Sequence, residues 1–568
     1  MKLKFVLLLL VLSSTLFSQE ISIPVSPNIS SLGEYGNFPI GYHTGTPVIE
    51  FPFYEINLDG LIIPIKLKYN SSGIRVDQSA GWVGLGWALE TGGHITKEVR
   101  GYNDFIYDDV SAPGGTSSGY YYVYSGNYGK FLHKLSYDPK TGIITGGENL
   151  MSDETYAVSN CDNEPDLYHF NFCNYSGTFY FKPHEAGEPA SDFIKPIIKS
   201  SNQYLDITYN KVEGSWCIID QQGFKFIFEP KERTWVYVEK TKYETPEFSR
   251  DKNRLNLGKR GAITDTSCLL QSIESPRGKK VSFTYNVEHS STPIMTSHNF
   301  DIPILMEGLN GITIGGGGYN SYNYTYSKIS QLLPKTIEFS EGSISFITSG
   351  RTDLDLFLDN YDVRSALTPL RPQKLDKIII KDLAGNDVKN IRFNYNYMGD
   401  STDYKLCRLM LNSFEITDKQ GQGKHQYKFS YKSGVLPAKN SYSTDMWGYY
   451  NGAINKVQFP TYTTLKTKAN TNNIYKYPES YLDEGANRFT HDAYIQYGTL
   501  DMIEYPTGGK TRFVYEPHDF QDGTNSGFIR KVLPYSSLSY SPDNSSQQSN
   551  AFTYGKDFVL EEDSYLRL

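Results

Sequence analysis

Carboxylates are the first residues here whose spacing could do chemistry. Asp353, Asp355, Asp359 and Asp362 fall within RTDLDLFLDNYD, and Asp104, Asp108 and Asp109 within YNDFIYDD. Oxygen-rich loops of this kind suit Ca²⁺. The first set lacks the glycine and the closing Glu of an EF-hand loop, so solvated loop carboxylates are the expectation. A glycosidase needs two carboxyl groups roughly 5 to 10 Å apart in a cleft, and among so many acids the sequence singles out no pair. GGKT at Gly508–Thr511 mimics the end of a phosphate loop, yet Glu504 stands where that loop needs glycine, and Thr511, Phe513 and Tyr515 alternate as in a strand. HExxH and G-x-G-x-x-G are missing, and the ten His are dispersed without metal-ligand spacing. The sequence therefore points to no catalytic, cofactor-binding or metal-ligating set, and no cofactor is expected.

Two aromatic and two thiol positions remain. Trp82 and Trp87 sit among Gly81, Gly84 and Gly86, so two large rings can pack where the backbone bends or approaches closely. A glycan-stacking platform is one reading of that pair, and core packing at a strand corner is the favoured one. Cys161 and Cys173 flank CDNEPDLYHFNFC and could close one local disulfide, with buried free thiols as the alternative. With five cysteines and no CxxC, neither a zinc ribbon nor a redox pair is indicated.

The elements that must position these residues read as strands. Aromatics are 14% of the 568 residues, with 46 Tyr, 49 Gly and 27 Pro, a mixture that favours strands joined by tight turns. Leu61, Ile63, Ile65, Leu67 and Tyr69 alternate with Ile62, Pro64, Lys66, Lys68 and Asn70, and Ile49, Phe51 and Phe53 alternate upstream. Asn57 to Gly60 supplies the turn of a hairpin. Pro52 and Pro64 lack amide protons, which predicts an edge or a bulge at each.

From about residue 270 a unit recurs: a leucine, an apolar residue three on, a turn with Gly, then alternating apolar and aromatic residues. It reads Leu270, Ile273, Gly278, Val281, Phe283, Tyr285, and again Leu500, Ile503, Gly508, Thr511, Phe513, Tyr515. Looser copies are Leu375, Ile378, Gly385, Ile391, Phe393, Tyr395 and Leu411, Phe414, Gly421, Tyr427, Phe429, Tyr431, and a degenerate one is Leu333, Ile337, Gly342, Ile344, Phe346. Each unit is too small to bury its own aromatic row, so the units must stack into a shared sheet.

Lys2 and Lys4 precede the apolar run Phe5–Leu12, followed by small residues near Ser18 and Gln19. This is the pattern of an export signal over residues 1–19, with a run too short for the roughly 20 residues of a membrane span. The net charge of −8 argues against a general electrostatic grip on nucleic acid or anionic lipid.

The block SLGEYGNFPIGYHTGTPVIEFPFYEI, with GLIIPIKLKYNSSGIRV and GWVGLGWALETGGHITKEVRG, spans Ser31 to Gly101. It resembles the opening of the exported RHS/YD-repeat proteins of Bacteroidetes. Glu164 to Phe181, Leu500 to Pro517 and Ser526 to Val532 resemble that family too. The resemblance implies a β-rich shell built from hairpins, in some members around a C-terminal toxic domain. The Tyr-Asp-x-x-Gly-Arg spelling, the Asp-Pro closing block and a toxin-sized terminal domain are not found in this sequence.

The expected fold is mainly β, of stacked antiparallel hairpins with little helix. Its expected division is a signal peptide (1–19), an N-terminal β domain (20–155), a β-rich segment (156–265) and an irregular hairpin-repeat region (266–568), truncated relative to the family. The expected role is a non-enzymatic, exported scaffold, secreted or on the cell surface, that displays or encloses a toxin or other cargo domain beyond this chain. The alternatives are a surface adhesin that binds glycan or protein, and third an extracellular hydrolase. Neither a nucleic-acid partner nor an integral membrane span is expected.

Overall fold

The computed structural model describes residues 46–101, 103–105, 119–122, 136–138, 143–145, 164–184, 191–242, 263–293, 295–300, 305–307, 313–315, 320–355, 372–418, 423–458, 485–517, 520–521 and 528–529. The expected signal (1–19), the first part of the opening block and Gly421 lie outside these residues. At the first hairpin, Asp59 and Gly60 both take positive φ, +51° and +102°, which is the two-residue turn whose twist matches the flanking strands. The turn joins β1 (Ile49–Leu58) to β2 (Leu61–Tyr69), and β3 (Trp87–Glu90) adds a third antiparallel strand. The pairing slips between Pro52 and Tyr54. This bulge changes the alternation, so that Ile49, Phe51 and Phe53 before it and Ile56 and Leu58 after it all face the core. It also meets the expectation for Pro52. On the opposite face Lys66 and Lys68 bridge Glu50 and Glu90 across all three strands, with Lys68–Glu90 at 2.6 Å.

The chain then enters a second, much larger sheet. It begins with β4 (Gly93–Glu98), and the short pair β5 (Ser136–Asp138) and β6 (Ile143–Thr145) stands apart from it. Next come β7 (Leu167–Phe172), β8 (Tyr175–Tyr180), β9 (Phe193–Ile194), β10 (Ile197–Ser201), β11 (Leu205–Asn210), β12 (Ser215–Asp220), β13 (Lys225–Lys242) and β14 (Ile263–Glu274). Their pairings close on themselves: β4–β7–β8–β10, then β9–β11–β12–β13–β14 and back to β4. Counting β9 and β10 as one interrupted strand, eight antiparallel strands form a small barrel. Phe170, Phe172, Phe179, Phe226 and Phe228 are buried with it. A barrel of about this strand number is just wide enough for side chains to fill or for one small ligand.

From β14 the sheet continues through β15 (Lys280–Ser291). Beyond it lie β16 (Met295–Phe300), the pair β17 (Leu305–Glu307) and β18 (Thr313–Gly315), and the long β19 (Asn320–Phe339). It then runs strand by strand through β20 (Gly342–Gly350), β21 (Gln373–Asp382), β22 (Asp387–Met398), β23 (Arg408–Asp418), β24 (His425–Tyr431), β25 (Leu500–Glu504) and β26 (Lys510–Arg512). One four-residue helix, α1 (Asp492–Ile495), precedes β25, and a two-stranded pair, β27 (Phe520–Gln521) with β28 (Phe528–Ile529), follows β26. The fold is thus nearly all β, as expected. Residue 265, an expected division, lies inside β14, which bonds to β13, β4 and β15.

The repeat units are hairpins of this sheet. Three of their turns share one geometry: the amides of Gly278, Gly385 and Gly508 donate three residues back at 2.9–3.0 Å, with φ of +82°, +83° and +82°. A left-handed residue is needed there, and glycine adopts it without a Cβ penalty. Three of the units are also stitched across themselves. Tyr285 donates its hydroxyl to the Leu270 carbonyl at 2.5 Å, Tyr395 to Leu375 at 2.6 Å and Tyr431 to Leu411 at 2.6 Å.

Neighbouring hairpins alone do not cover the aromatic rows; the opening block does. Phe51 packs edge-on against Phe414, Tyr427 and Phe429 at 5.1–5.6 Å, and Phe53 against Phe393 and Phe414. Trp87 lies 4.6 Å from Phe429 and Trp82 6.0 Å from Phe346. The three-stranded sheet thus forms one face of a sandwich and the repeat sheet the other. Each ring so buried contributes about 1.5–3 kcal/mol before entropy is subtracted.

Candidate functional site: a buried charge junction

At the end of β20 the chain leaves the sheet, and Arg351 and Asp353 turn inward. Both side chains are fully buried. They form a two-point pair, Nε to Oδ1 and Nη2 to Oδ2, each 2.7 Å. The same guanidinium donates to the carbonyls of Gly81 and Ala80 at 2.8 Å. Asp353 Oδ2 accepts from the Leu409 amide on β23 at 3.0 Å. Two residues thus join the opening block, the exit of β20 and β23. The planar, five-donor guanidinium suits this job because it can satisfy a carboxylate and two carbonyls at once.

Three further charges surround the pair. Lys439 donates to the carbonyls of Asp353 and Tyr404 at 2.5 and 2.9 Å. Arg408 donates through Nη2 to those of Val76 and Pro437 at 2.5 and 3.0 Å, while its Nε and Nη1 have no hydrogen-bond partner among the described residues. Glu288 accepts the Gln373 amide on Oε2 at 2.7 Å, and its Oε1 is unpartnered.

Burial governs how these groups hold protons. It pushes Glu288 up to about 8, against the pull of Arg351. It brings Lys439 down to about 8 despite Asp353, and Arg408 down to about 10. For Asp353 burial pushes upward too, but Arg351, Lys439 and the Leu409 amide together outweigh it and hold the carboxyl below its ordinary value. Arg351 and Lys439 direct donors at carbonyls or at Asp353, Arg408 does so through Nη2, and Asp353 is closed off by two elements. The arrangement is chemically a lock: it fixes backbone segments and presents no nucleophile to solvent.

Backbone contacts extend the junction. Gly84 takes φ +106°, and a Cβ there would lie 2.9 Å from the Leu411 amide nitrogen, so the opening block can lie on β23 only with glycine at this position. Leu85 donates to the Leu409 carbonyl at 2.8 Å, Leu375 to the Trp82 carbonyl at 2.9 Å and Val76 to the Gly448 carbonyl at 3.0 Å. The Leu500 amide donates to the Tyr69 hydroxyl at 2.8 Å.

The expected site residues fall differently. Trp82 and Trp87 are 2% and 0% exposed, so neither offers a face to a sugar; the close-packing glycines bring them into the core, and the glycan-platform reading of this pair is corrected. Cys173 is a free thiol at the β7–β8 turn with φ +51°, and Cys161 lies outside the described residues.

The solvated-carboxylate expectation fails for Asp353 and Asp104, while Asp355 is half-buried. Asp353 is ion-paired, and Asp104 is fully buried, its amide donating to the Asp166 carboxylate and its own carboxylate accepting from the Asp166 amide, each at 3.0 Å, while Asp166 pairs with Lys97 at 2.8 Å. Asp108, Asp109, Asp359 and Asp362 lie outside the described residues. Among the described residues no three metal-ligating side chains converge, and no helix is long and apolar enough to cross a membrane. Glu288, Arg408 and Lys439 were invisible in the sequence because their partners are backbone groups. The one available signal was an Arg-x-Asp at a strand end.

No family model and no curated protein matches the sequence. Solved structures superpose only loosely. The TcdB2–TccC3–Cdc42 crystal structure gives a TM-score of 0.28 at 10% identity over 69% of this chain and 16% of its own. The Photorhabdus luminescens Tc holotoxin pore gives 0.28 at 9% over 70% and 16%. The N-terminal domain of the effector SpvB from Salmonella typhimurium strain LT2 gives 0.24 at 9% over 65% and 98%. The chain thus spans about a sixth of the length of the first two, and superpositions this loose carry no inference about what it does.

Proposed function

We propose that this chain is a non-enzymatic scaffold, the leading section of an exported RHS/YD-type shell that displays or encloses another domain. One observation carries the architectural part: the apolar face of the opening block is spent on covering the aromatic rows of the later hairpins, and buried charges fasten the two together. Ordered polar groups in this junction fix backbone rather than face a cleft. The Ser31–Gly101 resemblance supports the assignment to a shell and to export.

The test is to sequence the gene beyond Leu568 and express the chain with any in-frame continuation. A continuation that resists protease when joined to this chain, and is digested alone, supports an enclosing shell. Equal digestion in both states, or a stop codon after Leu568 with a stable compact product, defeats it. Fractionation of cells with and without residues 1–19 tests export: the full chain is expected outside the cytoplasm, and equal distribution of the two forms counts against it.

A further inference from the structure

The small barrel is not filled to its end. Beside Ile95 and Lys97 of β4, a cavity of about 210 Å³ opens toward solvent, walled by Phe105, Tyr168, Tyr209 and Trp216. The rings pack on one another rather than across the space: Tyr209–Trp216 at 4.4 Å, Tyr168–Trp216 at 5.2 Å and Phe105–Tyr209 at 5.3 Å. An apolar cavity of about 150 Å³ holds a benzene ring, so this one has room for a six-membered ring with substituents. Barrel mouths are a recurrent place for small-molecule sites, and aromatic faces take either an arene or the C–H face of a sugar.

Charge at the rim narrows the ligand. Lys97 is neutralised by Asp166 at 2.8 Å, and Asp265 by Arg233 at 2.8 Å. Lys231, from β13, also lines the cavity and donates to the Glu213 carbonyl at 2.7 Å; among the described residues no carboxylate pairs with it. One ammonium without a carboxylate partner among the described residues therefore lines a cavity that has an aromatic wall. We infer that the barrel mouth binds a single six-membered ring bearing one carboxylate, with the ring against Tyr209 and Trp216 and the carboxylate on Lys231.

Two sources share this chemistry, a uronic acid sugar and an aromatic acid, so the experiment has an arm for each. Glucuronate and benzoate are titrated into the full chain by calorimetry at roughly millimolar concentration, beside glucose and benzyl alcohol as uncharged counterparts. Saturable binding of either acid, with its neutral counterpart weaker by about tenfold, is the expected result, and which acid binds identifies the source. Lys231→Met should weaken the acid by a similar factor while leaving the melting temperature unchanged. Should that variant fold poorly, raising the salt on the unaltered chain reads the same ion pair by screening. The inference is overturned if neither acid binds saturably, if the neutral rings bind as well, or if binding ignores both Lys231→Met and salt.

Discussion

Trp87 donates its indole N–H to the hydroxyl of Tyr431 at 2.8 Å, although the two lie 344 residues apart. Tyr431 in turn donates to the Leu411 carbonyl, so one hydroxyl belongs both to the stitch of a repeat unit and to the seam that holds the opening block on it. Tyr431→Phe leaves a buried indole N–H and a carbonyl without their partner. The expected loss is about 1–3 kcal/mol of stability, larger than for Tyr395→Phe, whose hydroxyl serves the Leu375 carbonyl. Urea denaturation of both variants measures the difference; equal losses would show that the indole bond adds nothing.

Tyr515 occupies the same place in the last unit, but its buried hydroxyl has no partner among the described residues. Removing it therefore forfeits no bond, and Tyr515→Phe is expected to be neutral or slightly stabilising, against about 1 kcal/mol lost in Tyr285→Phe. Thermal melts of the pair decide the matter, and a loss in Tyr515→Phe as large as in Tyr285→Phe contradicts the reading.

Breaking the Arg351–Asp353 pair from one side strands a buried charge. Arg351→Met or Asp353→Asn is expected to cost about 3–5 kcal/mol each, and the double variant less than their sum, because the second change removes the charge the first left alone. A denaturation cycle over the four proteins checks this; strict additivity would mean the two do not act as a pair.

Glu288 makes stability fall with rising pH. Its folded value is raised to about 8 from an ordinary 4.5, so its contribution is full below about pH 4.5, declines as the pH rises toward 8, and levels off above that. Arg351, Glu232, Asp353 and the Gln373 amide face it electrostatically, and Gln331 stands opposite in the strand register with its own Oε1 unpartnered. Glu288→Gln keeps the shape and removes the titration, so its urea midpoint should change less between pH 5 and 8 than that of the unaltered chain. Identical pH profiles would refute a titrating Glu288.

Much of the architecture was legible from periodicity. The alternation of Leu61 through Tyr69 fixed the buried face of β2, Asp59–Gly60 fixed its turn, and the spacing from Leu270 to Tyr285 marked a hairpin unit whose ends are hydrogen-bonded. What covers the aromatic rows was not legible, because Phe51 meets Phe414 and Trp87 meets Tyr431 across distances in the chain that no local pattern encodes. The charged junction was hidden for a related reason. Lys439 and Arg408 bond to carbonyls, which every residue carries, and an isolated cation in an aperiodic stretch reads as a surface residue. The barrel was also missed, since its closure depends on β14 pairing with β4, and nothing local in Cys268 or Ile95 announces a neighbour so far upstream.

The seam between Tyr69 and the Leu500 amide sets a schedule for biosynthesis. A ribosome releases the opening block first, and its apolar face finds Phe393, Phe414 and Phe429 only after more than three hundred further residues and Leu500 only after 431, roughly 20 to 80 seconds at ordinary elongation rates. During that interval the nascent face is an invitation to aggregation, and a fold so dominated by distant pairings is slow to form in any case. A protein of equal size built from neighbouring helices buries its apolar surface as it emerges, whereas this opening block stays bare until strands far downstream arrive.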